Sequence, residues 1–353
     1  MSAVIMGTRG CGKSTVLGLL HQAMTIRTNT RPGVFRFYIK PNDLNRLLQN
    51  TTHRMLRGEF PAYGPANRDD ISILLGFKPK SRALFRAWKN NLWTFAGEGF
   101  NFKGLGMLLR VYDVSGEAIN QYSTAPNIDI FLKVNEIFDS NILILLIDCK
   151  KFTNTTRGDK WDALLDYDKE CAVIASAYIE YRYRNKRNEK IHPIYLFTKV
   201  DEMDKEIKEE FGIEKIENAK MYDEKVCSEI GNKLLQKYMS QTRAILIGSE
   251  QVTVPLHETR KSLPKYRPKY FFSWVGLENI EGIASEDSSE EGPRLKVIEI
   301  KEKPFRNDFP GFMYEAMLEH IMHIAEEKGG DPRELCEELM NVPGAVIQTD
   351  DQV

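Results

Sequence analysis

The chain reads as an α/β protein, a three-layer, doubly wound and mainly parallel sheet elaborated by helical and loop insertions. Three observations predict it. Strand-like and helix-like segments alternate from the first residues to about residue 327, the pattern of a sheet crossed by helices. The run Ile142-Leu143-Ile144-Leu145-Leu146-Ile147 has no polar alternation and ends on Asp148, as does a parallel strand buried on both faces. The octet Gly7-Thr8-Arg9-Gly10-Cys11-Gly12-Lys13-Ser14 follows the apolar run Ala3-Val4-Ile5-Met6, giving a strand, a G-x-x-x-x-G-K-[ST] loop and a helix in succession.

Each element follows from its residues. The first strand leads through the glycine loop into a helix from Lys13 to about Ala23. Residues 34–39 alternate apolar and polar at their start and predict a strand; residues 41–56 predict a helix that Asn42 can cap. Residues 57–68, rich in Gly and Pro, form a loop, and 71–77 another strand. Residues 83–102 carry Trp88, Trp93 and several phenylalanines in a partly amphipathic pattern, predicting a helix that either covers the core or docks a partner. A strand over 105–111 runs into Asp113, and Ile128, Phe131, Leu132, Val134, Ile137 and Phe138 repeat at helical spacing.

Beyond the 142–148 strand, a long helix at about 161–185 ends in a basic stretch that includes Arg182 and Arg184, suited to a helix C-terminus. Residues 192–197 are the next strand, 203–239 are charged and mostly helical, and 244–247 and 270–275 are short strands. The polar, acidic residues 283–293 are expected to form a mobile loop. An amphipathic helix over 312–327 closes the fold, and the tail beyond Gly329 adds a short helix at 331–340. These elements predict one domain, 1–328, with insertions at about 41–103 and 203–265, and a tail from 329 to 353. There is no internal repeat.

Composition narrows the class. A chain of 353 residues, 42% of them apolar, can bury a substantial core. Lys plus Arg (49) nearly balance Asp plus Glu (50), so there is no general nucleic-acid signature and no nucleic-acid partner is expected. Five cysteines, odd in number and without paired metal-ligand spacing, read as reduced thiols of a cytoplasmic protein. No apolar run is long enough to cross a bilayer, and a strand occupies the N-terminus where a signal peptide would lie; the protein is expected to be soluble and unexported, with no transmembrane segment. His192 reads as a strand-edge residue. His320 and His323, spaced i, i+3, lack further ligands for a metal.

The chemistry concentrates in three segments. In the first, Gly7, Gly10 and Gly12 let the backbone approach a polyphosphate and point successive N–H groups inward, with Cys11 a small residue of the same loop. Lys13 would reach the terminal phosphates and Ser14, with Thr15 beside it, would open the helix whose dipole faces them; the Ser14 hydroxyl would bind Mg2+. In the second, an apolar strand ends in Asp113-Val114-Ser115-Gly116-Glu117: Asp113 can hold the Mg2+ shell, and Gly116 can offer an N–H to a γ-phosphate while hinging a loop. The third is Thr198-Lys199-Val200-Asp201. Its carboxylate can accept hydrogen bonds from guanine's N1–H and exocyclic amine, which adenine does not offer, and the lysine stem can cover the ring.

In this order the three segments resemble the Ras-like GTPase domains of the translation-factor-related (TRAFAC) class. The resemblance runs from Gly7 to about Trp274 and implies a P-loop GTPase fold, GTP or GDP as ligand, Mg2+, slow hydrolysis and switching through an effector or activating protein. Gly7 to Ser14 matches the family's phosphate loop, Asp113 to Gly116 its switch II, and Thr198 to Asp201 its guanine-specificity motif. Tyr270-Phe271-Phe272-Ser273-Trp274 is similar to the segment whose backbone N–H contacts the guanine oxygen; Gly248-Ser249, after the 244–247 strand, competes for that role. Leu56-Arg57-Gly58-Glu59-Phe60-Pro61 and the Tyr-Asp-x-x-Gly-Glu form resemble prokaryotic double-GTPase domains, although only one phosphate loop is present.

Two departures bear on catalysis. The family's switch I threonine has no firm counterpart: Ala62-Tyr63-Gly64 stands at its place, with Thr51 and Thr52 upstream. Glu117 replaces the water-orienting glutamine. A carboxylate there is repelled by the γ-phosphate but could act on water if desolvation raised its pKa. The catalytic set implied is therefore Glu117, Gly116 and Lys13. A P-loop ATPase or nucleotide kinase, and a nucleotide-binding scaffold with negligible turnover, stand as alternatives to the switch.

Overall fold

Alternating strand and helix patterns resolve into one eight-stranded sheet in a computed structural model that describes residues 2–26, 33–39, 71–79, 93–95, 102–111, 138–185, 191–252, 269–275 and 310–328. Its strands are β1 (Ser2–Met6), β2 (Gly33–Ile39), β3 (Ile71–Pro79), β4 (Trp93–Phe95), β5 (Phe102–Val111), β6 (Ile142–Asp148), β7 (His192–Thr198) and β8 (Lys269–Phe272). The helices are α1 (Lys13–Ile26), α2 (Asp159–Asn185), α3 (Lys205–Phe211), α4 (Glu214–Glu217), α5 (Glu224–Tyr238), α6 (Ser240–Val252) and α7 (Gly311–Lys328).

The strand order is β2-β3-β5-β1-β6-β7-β8, with β4 paired to β5. Strands β5, β1, β6, β7 and β8 are parallel, and β3 is antiparallel to both β2 and β5. All seven residues of β6 and all seven of β7 are buried, which requires cover on both faces of the sheet. Helix α7 packs on α1 and reaches β5 and β8; α2 packs on α6, and α5 on α6 and β8. Along β8, Tyr270 lies against Gly231 of α5, whereas Ser273, three positions on, bonds Tyr314 of α7. Period-2 alternation therefore sets α5 and α7 on opposite faces.

Helix α1 buries Val16, Leu19, Leu20 and Ala23, spaced i, i+3, i+4 and i+7, against this core, with Leu17 beside them. Helix α5 begins at a true cap, the Asp223 carboxylate accepting from the Lys225 and Val226 N–H groups. The predicted helical stretch 203–239 is three helices, because Gly212 ends α3 in the left-handed conformation (φ 68°) and a turn separates α4 from α5.

Two expectations are corrected. Residues 244–247, expected as a strand, lie inside α6. A four-residue apolar run is compatible with either period, and the decision comes from outside it. Asp168 of α2 accepts from Gln241 N at 2.9 Å and Thr242 N at 3.0 Å, satisfying two orphan donors at the α6 N-terminus. Within 83–102, expected as a helix, Trp93–Phe95 is a strand antiparallel to β5. The β3 ladder covers β5 only from Leu105 onward, and Trp-Thr-Phe, residues suited to a strand, pair with Phe102 to Gly104.

The remaining strands and the helices around α1, α2 and α7 lie where expected, within a few residues. The predicted helix at 41–56, the loops at 57–68 and 283–293, the helix before Phe138 and the tail lie outside the described residues. No helix among the described residues is long and apolar enough to cross a membrane.

Candidate functional site

The strand order reverses at β1, with β5 on one side and β6 on the other, so the crevice of this sheet opens at the carboxyl ends of its central strands. The registers align those ends: Met6 pairs with Leu145, Asp148 with Thr198 and Phe197 with Phe272. The Gly7–Ser14 loop, Asp148, the Thr198–Asp201 segment and the Ser273–Val275 turn all leave the sheet along this one edge.

The loop is shaped by glycine at distinct positions. Gly10 and Gly12 have φ of 77° and 93°, a region that L side chains avoid. Gly7 is required for a different reason, since a Cβ there would meet Cys11 Sγ at 2.6 Å and Leu146 Cβ at 3.1 Å. Lys13 is buried and its Nζ donates to the Gly7 carbonyl at 3.0 Å and the Thr8 carbonyl at 2.9 Å, holding the ammonium across the loop. Val16 N donates to Gly12 O at 2.8 Å, so helical bonding begins from the loop, and Ser14 and Thr15 are half-buried in the first turn of α1.

The loop is tied to the end of β7. The buried Thr198 hydroxyl lies 2.8 Å from the Cys11 carbonyl, to which it donates, and 3.2 Å from that of Ile147. The next residue, Lys199, is left-handed (φ 55°, ψ 39°), the one non-glycine residue with positive φ among those described. Such a conformation costs of order 1–2 kcal/mol and persists where its surroundings fix it. Here the Lys199 ammonium pairs with the Asp148 carboxylate at 2.7 Å. The other Asp148 oxygen accepts from Lys150 N at 3.0 Å, and its own N–H donates to the Tyr167 hydroxyl at 2.6 Å.

Asp201 faces the turn after β8. Its Oδ2 accepts from Val275 N at 3.0 Å. Burial pushes its carboxyl above the usual carboxylate value, against the Val275 bond that holds it down. Ser273 N donates to Phe197 O at 2.7 Å and Val200 N to Ser273 O at 3.2 Å, continuing the β7–β8 ladder past the strand end. Stacked Phe197 and Phe272, with centroids 4.9 Å apart, support the same junction. Trp274 is half-buried, edge-on to Phe312.

Of the site residues expected from sequence, Gly7, Gly10, Cys11, Gly12, Lys13, Ser14, Thr15, Thr198, Lys199, Asp201, Ser273 and Trp274 thus share one sheet edge. The competing pair Gly248-Ser249 lies within α6, and the turn beside Asp201 is formed by Ser273 to Val275. Asp113, Gly116, Glu117 and the switch I positions near Tyr63 lie outside the described residues, although β5 ends at Val111, two residues before Asp113, beside β1. No cluster of three metal-ligating side chains occurs among the described residues.

Sequence reasoning missed Asp148, Tyr167 and Tyr314. Asp148 carried a signal, a carboxylate ending an otherwise apolar run; the two tyrosines sit among ordinary helical core positions and carried none. Among the described residues Cys11, Cys149, Cys171 and Cys227 are buried and form no disulfide, and burial pushes the thiols of Cys149 and Cys171 up, away from the reactive thiolate. No protein-family model matches the chain, and comparison with curated proteins finds no significant match.

Proposed function

We propose that the chain is a guanine-nucleotide-binding protein with a P-loop GTPase fold, a cytoplasmic switch that hydrolyses GTP slowly with Mg2+. The observation that carries this reading is the tie between the two recognition segments, the Thr198 hydroxyl donating to the Cys11 carbonyl at 2.8 Å. It couples a loop suited to phosphates to a segment suited to one base.

The loop fits a polyphosphate by its donors. Left-handed Gly10 and Gly12 belong to the backbone conformations that turn N–H groups toward an anion, and nothing lies within 4 Å of a Cβ built on Gly12. Lys13 brings a buried positive charge to the loop, and the α1 N-terminus adds its dipole. Ser14, with Asp113, would hold Mg2+, which would offset phosphate charge. The sheet order, with β1 central and β5 and β6 parallel on either side of it, supports the same fold.

Base choice falls to Asp201. A carboxylate kept partly from water and oriented by the Val275 N–H can accept from guanine N1–H and the exocyclic amine, and adenine would leave it with a desolvated, unmatched charge. Lys199, fixed by Asp148, would lay its stem over the ring. Gly116 and Glu117 would act at the γ-phosphate. With glutamate in place of the usual glutamine, unaided turnover is expected to be slow and to rise when an activating protein supplies an arginine.

The test is the nucleotide carried through purification of the full chain, released by denaturation and separated by chromatography. Guanosine phosphates are expected; adenosine phosphates would overturn the reading.

A further inference from the structure

Helix α7 meets the candidate base pocket through a buried polar contact. Ser273 Oγ and Tyr314 Oη share a hydrogen bond of 2.6 Å, and the residues are 3% and 1% exposed. Ser273 is also held through its backbone, its N–H by Phe197 O and its carbonyl by Val200 N. Three bonds thus fix a residue that stands between β7, α7 and the turn facing Asp201. Trp274, half-buried and edge-on to Phe312 of the same helix, packs the next position.

The consequence lies in the donors of the turn. Ser273 N–H is given to Phe197 O and Val275 N–H to Asp201. The Trp274 N–H between them has no acceptor among the described residues. Its direction is set by how the flanking residues are pinned, and on the N-terminal side the one side-chain pin among the described residues is the Tyr314 hydroxyl. Burial pushes that phenol up, so it stays protonated and available as a hydrogen-bonding group at physiological pH.

Resting on the guanine-nucleotide reading above, we infer that Tyr314 is a positioning residue for base recognition: its bond to Ser273 aims the Trp274 N–H at the 6-oxo group of the bound purine. Asp201 reads the N1–H and the amine, and the turn held by Tyr314 reads the oxygen. The two functions are separable, because hypoxanthine keeps the oxygen and N1–H while lacking the amine.

The experiment measures release of GDP and IDP from the full chain carrying Tyr314→Phe, Ser273→Ala or both, beside thermal stability. Loss of one buried hydrogen bond is expected to speed release about three- to tenfold. The inference requires the same factor for GDP and IDP, and a double variant no faster than either single one, since both remove one bond. Release unchanged in Tyr314→Phe, with or without a lower melting temperature, would reduce the tyrosine to packing and overturn the inference. Factors that multiply in the double variant would do the same. If Tyr314→Phe does not fold, Ser273→Ala alone decides by the GDP and IDP rates. Wild-type protein that binds no guanine nucleotide would remove the underlying reading; wild-type binding with unaltered release in the variants would remove this inference alone.

Discussion

At the scale of the residue, the sheet edge holds groups where they cost stability. Burial raises the Asp201 carboxyl above its ordinary value. Between the unfolded value of about 4 and the higher folded one, the folded chain binds more protons than the unfolded chain, so stability falls as pH rises through that window. Asp201→Asn removes this contribution. In nucleotide-free protein the variant's denaturant midpoint, relative to wild type, should climb as pH rises from the ordinary carboxylate value through the raised folded one and then level; a flat difference would mean that the carboxyl is not desolvated. Thr198→Val keeps the shape of the side chain and deletes the bond from Thr198 to the Gly7–Ser14 loop. It should cost about 1–2 kcal/mol in urea denaturation and weaken nucleotide binding together with stability. The glycine pattern and Thr-Lys-x-Asp were legible because each residue type has a local chemical reason. Lys199's left-handed backbone was not, since lysine gives no sign of it and its partner Asp148 lies 51 residues away in sequence.

At the scale of the element, the sheet edge depends on helices packed without room to spare. A Cβ on Gly231 of α5 would collide with the Tyr270 ring of β8. Alanine should raise helix propensity by roughly 1 kcal/mol, yet overpacking costs about 1–3, so Gly231→Ala is expected to lower the melting temperature. A rise would show that α5 can slide. Gly7→Ala meets Cys11 and the Leu146 Cβ and backbone oxygen, whereas Gly12→Ala meets nothing and bears only the strain of its φ. Gly7→Ala should therefore lose more stability than Gly12→Ala, a comparison readable by thermal denaturation of the pair. Buried strands such as β6 were legible because an apolar run bounded by polar residues admits few readings. Helix α6 was not, because the Asp168 carboxylate that caps it comes from α2, and a cap supplied by another element leaves no trace beside the helix it stabilises.

At the scale of the whole molecule, a five-strand parallel core with helices on both faces brings residues from 7 to 275 to one edge, and the registers of β1, β6, β7 and β8 do the gathering. Strand order was not legible: alternation predicts a parallel sheet, but which strands adjoin β1 is decided by long-range packing. The antiparallel β2–β3 pair beyond β5 likewise depends on distant partners, from Phe77 with Leu105, 28 residues apart, to Gly33 with Pro79, 46 apart. A ligand that binds only the folded chain stabilises it in proportion to its occupancy, so GDP with Mg2+ should raise the melting temperature and ATP should not. The central claim, that one edge holds both a phosphate loop and a guanine-reading carboxylate, is tested most directly by competition for labelled GDP on the full chain, wild type beside Asp201→Asn. Unlabelled GTP should displace it from the wild type while ATP in large excess does not, and in the variant XTP should become the better competitor than GTP. Displacement by ATP as effective as by GTP, with the variant unchanged in preference, would contradict the account.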